Sequence, residues 1–115
     1  MTKQELEPQS LARRCHEVLI LASLADGPRH GYQLALEIEE KSGRSFRFNH
    51  GTLYPILHKL ESNGFLEGSW AEPAGKRKRR QYELTAAGRE RLDQLRTAWT
   101  TYFGALFNVI GRSES

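Results

Sequence analysis

The sequence predicts a mainly α fold of the α+β class: a winged helix-turn-helix followed by one long C-terminal helix. Three stretches carry that prediction. Leu53, Ile56, Leu57 and Leu60 fall at i, i+3, i+4 and i+7, one apolar stripe of a helix. Beyond Gly64, Leu66, Gly68 and Trp70, and then Tyr82 and Leu84, alternate on either side of a run of cations, Lys76 to Arg80, as two strands of a basic-tipped hairpin would. Finally, Leu92, Leu95, Trp99, Tyr102, Leu106 and Val109 recur at alternating spacings of 3 and 4, the a and d positions of a heptad pattern.

The chain has 115 residues, enough for one domain with an appended helix. Its formal charge of +3 decides little, but five consecutive cations at 76–80 suit phosphate, whether of nucleic acid or of an anionic membrane. A single cysteine, Cys15, excludes an internal disulfide and any metal-ligand spacing with a second thiol. No apolar run is long enough to span a bilayer, and the polar start Met1–Ser10 is unlike a signal peptide. The expectation is a reduced, cytoplasmic setting with no membrane partner.

In chain order, residues 1–8 are polar and end at Pro8, as a loose arm would. From Ser10 to Ala25, Leu11, Cys15, Val18, Leu19 and Ala22 follow helical spacing, and Ile20, Leu21 and Leu24 widen the stripe. So apolar a helix needs more than one covering partner, and Asp26-Gly27-Pro28 should stop it. A second helix is predicted from Tyr32 to Lys41, with Leu34, Ala35 and Ile38 inward. Glu37, Glu39 and Glu40 make its outer face acidic, and Glu37 is placed to pair with Lys41 at i, i+4. Phosphate would be repelled there, so this helix supports rather than reads.

The third helix precedes Gly64, the C-cap glycine of a Schellman ending in which Phe65 touches Leu60. Pro55 leaves two starts open. A start near Gly51 or Thr52 puts the proline in the first turn, where its missing donor is harmless; a start near Asn49 puts it inside the helix, with a local kink. Thr85 is a plausible N-cap for a last helix running to about Ile110, with Phe103, Phe107 and Ile110 widening its apolar seam. So many aromatics cannot be hidden on a domain of about 85 residues, so this helix calls for a second copy of the chain. The division expected is 1–84 for the winged helix-turn-helix and 85–115 for the dimerisation helix.

These residues resemble the PadR family of transcriptional regulators. The resemblance rests on Leu19 to Ala25 leading into Gly27-Pro28, on His30-Gly31-Tyr32, and on Gly51-Thr52-Leu53-Tyr54-Pro55. It continues through Leu57, Leu60-Glu61, Gly64, Trp70, Tyr82, Leu84-Thr85 and Gly88, over roughly residues 11–92. The single last helix looks like the family's short-tailed branch. The resemblance implies a homodimeric repressor of a palindromic operator, often released by phenolic or drug-like small molecules. The family's wing commonly carries Gly-Arg/Lys-Pro-Arg-Arg, whereas Gly75-Lys76-Arg77-Lys78-Arg79-Arg80 here lacks the proline.

A protruding third helix fits a major groove about 12 Å wide. Lys59 suits a phosphate or guanine, Thr52 and Tyr54 suit phosphate or a thymine methyl, and His58 and Asn49 suit base edges. On a hairpin Lys76, Lys78 and Arg80 share one side and Arg77 and Arg79 the other, so several can reach phosphates at once. The plain alternative for both features is a solvated, charged surface. Leu92, Leu95, Trp99, Tyr102, Phe103, Leu106, Val109 and Ile110 form the expected dimer seam; within it Trp99, Tyr102 and Phe103 read first as core and second as the lining of a site for a flat aromatic effector, and the two readings can coexist.

Four histidines, His16, His30, His50 and His58, come with no carboxylate partner or nucleophile motif. No enzyme activity, metal or cofactor is therefore expected, and His30 reads as a capping or packing residue between the first two helices. Double-stranded DNA and a second copy of the chain are the expected partners. The rival reading is a winged helix that binds an acidic protein.

Overall fold

The computed structural model describes residues 15–71 and 79–111. The elements run α1 (His16–Ser23), β1 (Arg29–His30), α2 (Gly31–Lys41), α3 (His50–Ser62), β2 (Leu66–Ala71), β3 (Arg79–Leu84) and α4 (Ala86–Ile110). The expected arm at 1–8, the helix start at Ser10, and Lys76, Arg77 and Lys78 lie outside the described residues. Helices α1 to α3 and a three-stranded antiparallel sheet, in the order β1-β3-β2, make a winged helix-turn-helix, and α4 extends from it. The described body measures 53 × 29 × 25 Å.

The core is aliphatic apart from Tyr82, and no charged residue among those described is fully buried in it. Ile20, Leu21 and Leu24 meet Leu34 and Ile38 of α2, Leu53, Leu57 and Leu60 of α3, Leu66 and Tyr82 of the sheet, and Leu92 of α4. Helix α1 touches α2, α3 and α4, the several partners its many apolar sides require. Its regular part ends at Ser23, ahead of the predicted Asp26-Gly27-Pro28 stop. Leu24 closes the last turn, its N–H shared between the carbonyls of Ile20 and Leu21 at 3.2 Å each.

Strand β1 leaves no mark in the sequence, because two residues cannot display a period of two. It pairs Arg29 with Tyr82 and His30 with Gln81, completing the sheet. Helix α2 begins at Gly31, with His30 at the N-cap position in an extended conformation, φ −73° and ψ 151°, and no side-chain cap. The His30 Nδ1 atom is buried and makes no hydrogen bond among the described residues, so packing describes its role better than capping. Glu37 does not pair with Lys41 as predicted. Arg29 Nε reaches both of its carboxylate oxygens, at 3.1 and 3.2 Å, because β1 delivers a planar guanidinium to the same helix face.

Helix α3 starts at His50, where Asn49 caps it by accepting the Thr52 N–H at 2.9 Å. Pro55 therefore lies inside the helix, and the first-turn alternative fails. The Gly51 carbonyl loses its usual donor, but both residues face solvent, where water can serve. The ending is the predicted Schellman motif. Phe65 N–H donates to Leu60 O and Gly64 N–H to Glu61 O, both at 3.0 Å, with Gly64 at φ +82°, a conformation glycine adopts without strain.

The hairpin forms with Leu66 opposite Leu84, Gly68 opposite Tyr82 and Trp70 opposite Arg80. The shared face of β2 is buried only at its start: Leu66 is buried, but Trp70 is 64% exposed. Trp70 shares the face of Leu66 but sits where that face meets the Arg80 guanidinium instead of the apolar core. Thr85 then turns the chain into α4. Its hydroxyl accepts the Gly88 N–H at 2.9 Å and donates to the Gly64 carbonyl at 2.6 Å. Gly88 is buried against the Phe65 carbonyl, close enough that a Cβ there would overlap the oxygen.

Candidate nucleic-acid interface

Burying Leu53, Leu57 and Leu60 fixes which side of α3 faces outward. At about 100° per residue, Gly51, Pro55, His58 and Ser62 lie opposite that stripe, all exposed. Exposed Lys59 and half-buried Thr52 flank them on one side, His50 and Tyr54 on the other. Glycine and proline keep the first half of this face shallow, and longer side chains stand at its edges. The Asn49 carboxamide oxygen is committed to its cap, which leaves its NH2 group for an outside acceptor.

Tyr54 is partly held in place. Its ring stacks on His50 with centroids 5.6 Å apart and planes 17° apart, and it covers Gly31 so closely that a Cβ there would lie 3.0 Å from the ring. The sequence places His50 only among the four histidines, with no part in the DNA-facing surface. The signal was its i, i+4 spacing to Tyr54, which stacks two rings on one helix face.

Arg79 is exposed at the start of β3, beside the segment that carries Lys76, Arg77 and Lys78, which lie outside the described residues. The sequence groups Arg80 with those cations, and the structure sets it apart. Its guanidinium turns inward to Glu61 of α3, Nη2 to Oε2 at 2.5 Å, and sits 5.4 Å from the centroid of the Trp70 ring. Tyr82 lies beside this pair. Burial pushes its phenol above the ordinary range, against the opposing influence of Arg80.

The acidic face of α2 is partly neutralised by Arg29 on Glu37 and by Arg47, 3.8 Å from Glu39. Where α2 meets the start of α3, Tyr32, Leu36, Phe48 and Leu53 line a small open cleft. Among the described residues no group of histidine, cysteine and carboxylate side chains could hold a metal ion, and no helix is long and apolar enough to cross a membrane.

The first turns of α4 belong to the core. Leu92 is 2% exposed, and Arg91 grips Glu17 of α1 at 2.7 Å while lying over the Phe65 ring. Heptad spacing counts Leu92 with the dimer seam. Leu92 is covered within its own chain, and Leu95 is half-buried against the same core, so the stripe opens to another molecule from there on. Past it, Trp99 stacks on Phe103 at 5.4 Å and Phe103 on Phe107 at 6.4 Å, with Tyr102 edge-on to Trp99 and Phe103. Tyr102, Phe103, Val109 and Ile110 are exposed and Leu106 is half-buried. Among the described residues, the side chains of Tyr102, Phe103, Val109 and Ile110 stay open along this helix as one apolar strip.

Comparison with known proteins extends this picture. The family model described as the transcriptional regulator PadR-like family matches residues 20–94. Transcriptional regulator Rv3488 of Mycobacterium tuberculosis is 41% identical over 92 residues, covering 80% of this chain and 79% of that protein. A transcriptional regulator from Clostridium thermocellum superposes with a TM-score of 0.79 over 89% of this chain and 99% of that one; at 22% identity this likeness speaks for the fold alone. Bacillus subtilis PadR, in a crystal structure with operator DNA, superposes with a TM-score of 0.65 at 28% identity, over 71% of this chain and 45% of that one.

Proposed function

The chain belongs to the PadR-like family of transcriptional regulators, not to a family of enzymes, and from that premise we propose that it is a homodimeric repressor that binds a palindromic DNA operator. The observation that carries this reading is the outward face of α3, shallow at its start and edged by His58, Lys59 and Tyr54, standing beside a hairpin whose sequence holds Lys76, Arg77, Lys78 and Arg79. The likeness to B. subtilis PadR, solved on operator DNA, supports it.

In this mechanism α3 enters the major groove, where Asn49, Thr52, Tyr54, His58 and Lys59 meet base edges and adjoining phosphates. The wing cations meet backbone phosphates and release condensed counterions. Residues 1–84 act as the DNA-binding unit and 85–115 as the dimerisation helix, whose open strip from Leu95 to Ile110 is covered by the same strip of a second chain. Two-fold symmetry then sets the two α3 helices about 34 Å apart, on successive major grooves. A flat aromatic molecule seated beside Trp99, Tyr102 and Phe103 releases DNA to the extent that it prefers a dimer arrangement with the wrong spacing.

Selection of bound duplexes from a random pool tests the reading. The expected outcome is an inverted repeat with half-site centres about 10 base pairs apart. Failure to enrich any sequence over random DNA would refute it. Titration of Trp99 fluorescence with planar phenols, with and without operator, tests the release step. Ligand quenching must be weakened by operator, because coupling is reciprocal.

A further inference from the structure

We propose that Arg80 is a positioning residue that fixes the β2–β3 hairpin against α3 through Glu61, so that wing and recognition helix meet DNA as one unit; this rests on the DNA-binding reading above.

Strand alternation sets Arg80 on the face of Tyr82 and Leu84, opposite Trp70. Its side chain lies along the hairpin. The guanidinium crosses Gly68, where a Cβ would sit 2.7 to 2.9 Å from its Nε, Nη2 and Cζ atoms. It is bounded by the Trp70 ring and reaches Glu61 Oε2. That same carboxylate oxygen accepts the Gly68 N–H at 3.3 Å. One carboxylate on the last turn of α3 therefore holds a backbone amide of β2 and a side chain of β3. The Arg80 and Glu61 side chains are 30% and 25% exposed. A guanidinium closed on a carboxylate adds little attraction for phosphate, so what Arg80 contributes is geometry.

Geometry and charge make opposite predictions for Glu61→Gln. Removing a negative charge beside the DNA-facing helix should tighten binding if only electrostatics matters. Loosening the hairpin should weaken it, because only the correctly oriented fraction binds. Gly68→Ala changes no charge and drives a methyl group into the guanidinium, so it must act through geometry.

The test uses the full chain. Without DNA, hydrogen exchange in residues 66–71 and 79–84 should quicken about tenfold in both variants while α1 and α4 keep their protection. With a selected duplex, both variants should bind about fivefold more weakly, with an unchanged slope of log affinity against log salt. Unchanged hairpin exchange in both variants overturns the proposal, as does exchange that quickens throughout the chain, which would mark a general stabiliser. Tighter binding by Glu61→Gln with no effect of Gly68→Ala also overturns it. If the wild-type chain enriches no duplex, the DNA-binding reading fails, and the exchange result alone decides whether Arg80 holds the hairpin to α3.

Discussion

Replacing Gly88 with alanine should destabilise the protein even though alanine is the better helix former. A Cβ at this position would overlap the Phe65 carbonyl oxygen, approach its carbonyl carbon to 3.0 Å, and lie 3.2 Å from Leu84 Cδ2. The obstacle is backbone, which cannot rotate away. That carbonyl also accepts the Thr85 N–H at 3.2 Å, so moving α4 to relieve the overlap disturbs its own cap. Overpacking of this kind costs about 1–3 kcal/mol and a damaged cap about 1 kcal/mol more. Higher helix propensity returns at most about 1 kcal/mol. A net loss of about 2 kcal/mol, with an unfolding entropy of about 2.1 cal/mol/K per residue, lowers Tm by about 8 °C. Far-UV circular dichroism melts at one fixed protein concentration measure this. Gly104→Ala on the same helix is the control. Its Cβ would meet open space, so Tm should rise by a few degrees, for a gain of about 0.5–1 kcal/mol. A Gly88→Ala melt at or above wild type would refute the packing argument.

Three further outcomes are expected. Light scattering should give a dimer mass at micromolar concentration, and Phe103→Asp, on the exposed strip, should shift it to monomer; a wild-type monomer would remove α4 as the interface. Arg79→Ala should lower the slope of log affinity against log salt by about 0.9, the contribution of one phosphate contact, and an unchanged slope would take Arg79 off the DNA. Because burial raises the Tyr82 phenol, the folded chain keeps this proton after the unfolded chain begins to lose it near its ordinary value of 10.0. The stability this group contributes is therefore complete below pH 10.0 and falls as pH rises through its folded-state ionisation, so Tyr82→Phe should flatten the alkaline limb of a denaturant series; an identical limb would refute the assignment.

Much of the framework could be read from the sequence because it depends on local rules. The stripe Leu53, Leu57, Leu60, the Schellman glycine Gly64 and the Thr85 cap each need only a few neighbouring residues to be recognised. What escaped depends on partners distant in sequence. Arg80 finds Glu61 nineteen residues away, and Arg29 takes Glu37 ahead of Lys41, a choice no single-helix rule makes. Trp70 obeys the strand alternation yet lies outside the core, since alternation assigns a face but not how far the covering helices extend along it. The same limit applies to Leu92. Heptad spacing groups it with Leu95 and Trp99, while α1 has already covered it.

The Thr85 hydroxyl has a mechanical consequence. It bonds the Gly64 carbonyl, at the end of α3, and the Gly88 N–H, in the first turn of α4. The two helix ends therefore meet at one side chain, which acts as a clamp. Helix α4 is a shaft of 25 residues, about 37 Å long, held at one end. A sideways push of about 3 Å at the Ile110 end becomes a rotation of about 5° at the clamp. Leu92 in the core and Arg91 on Glu17 hold the same end of the shaft to α1, so the rotation bears on the ends of α1 and α3 together.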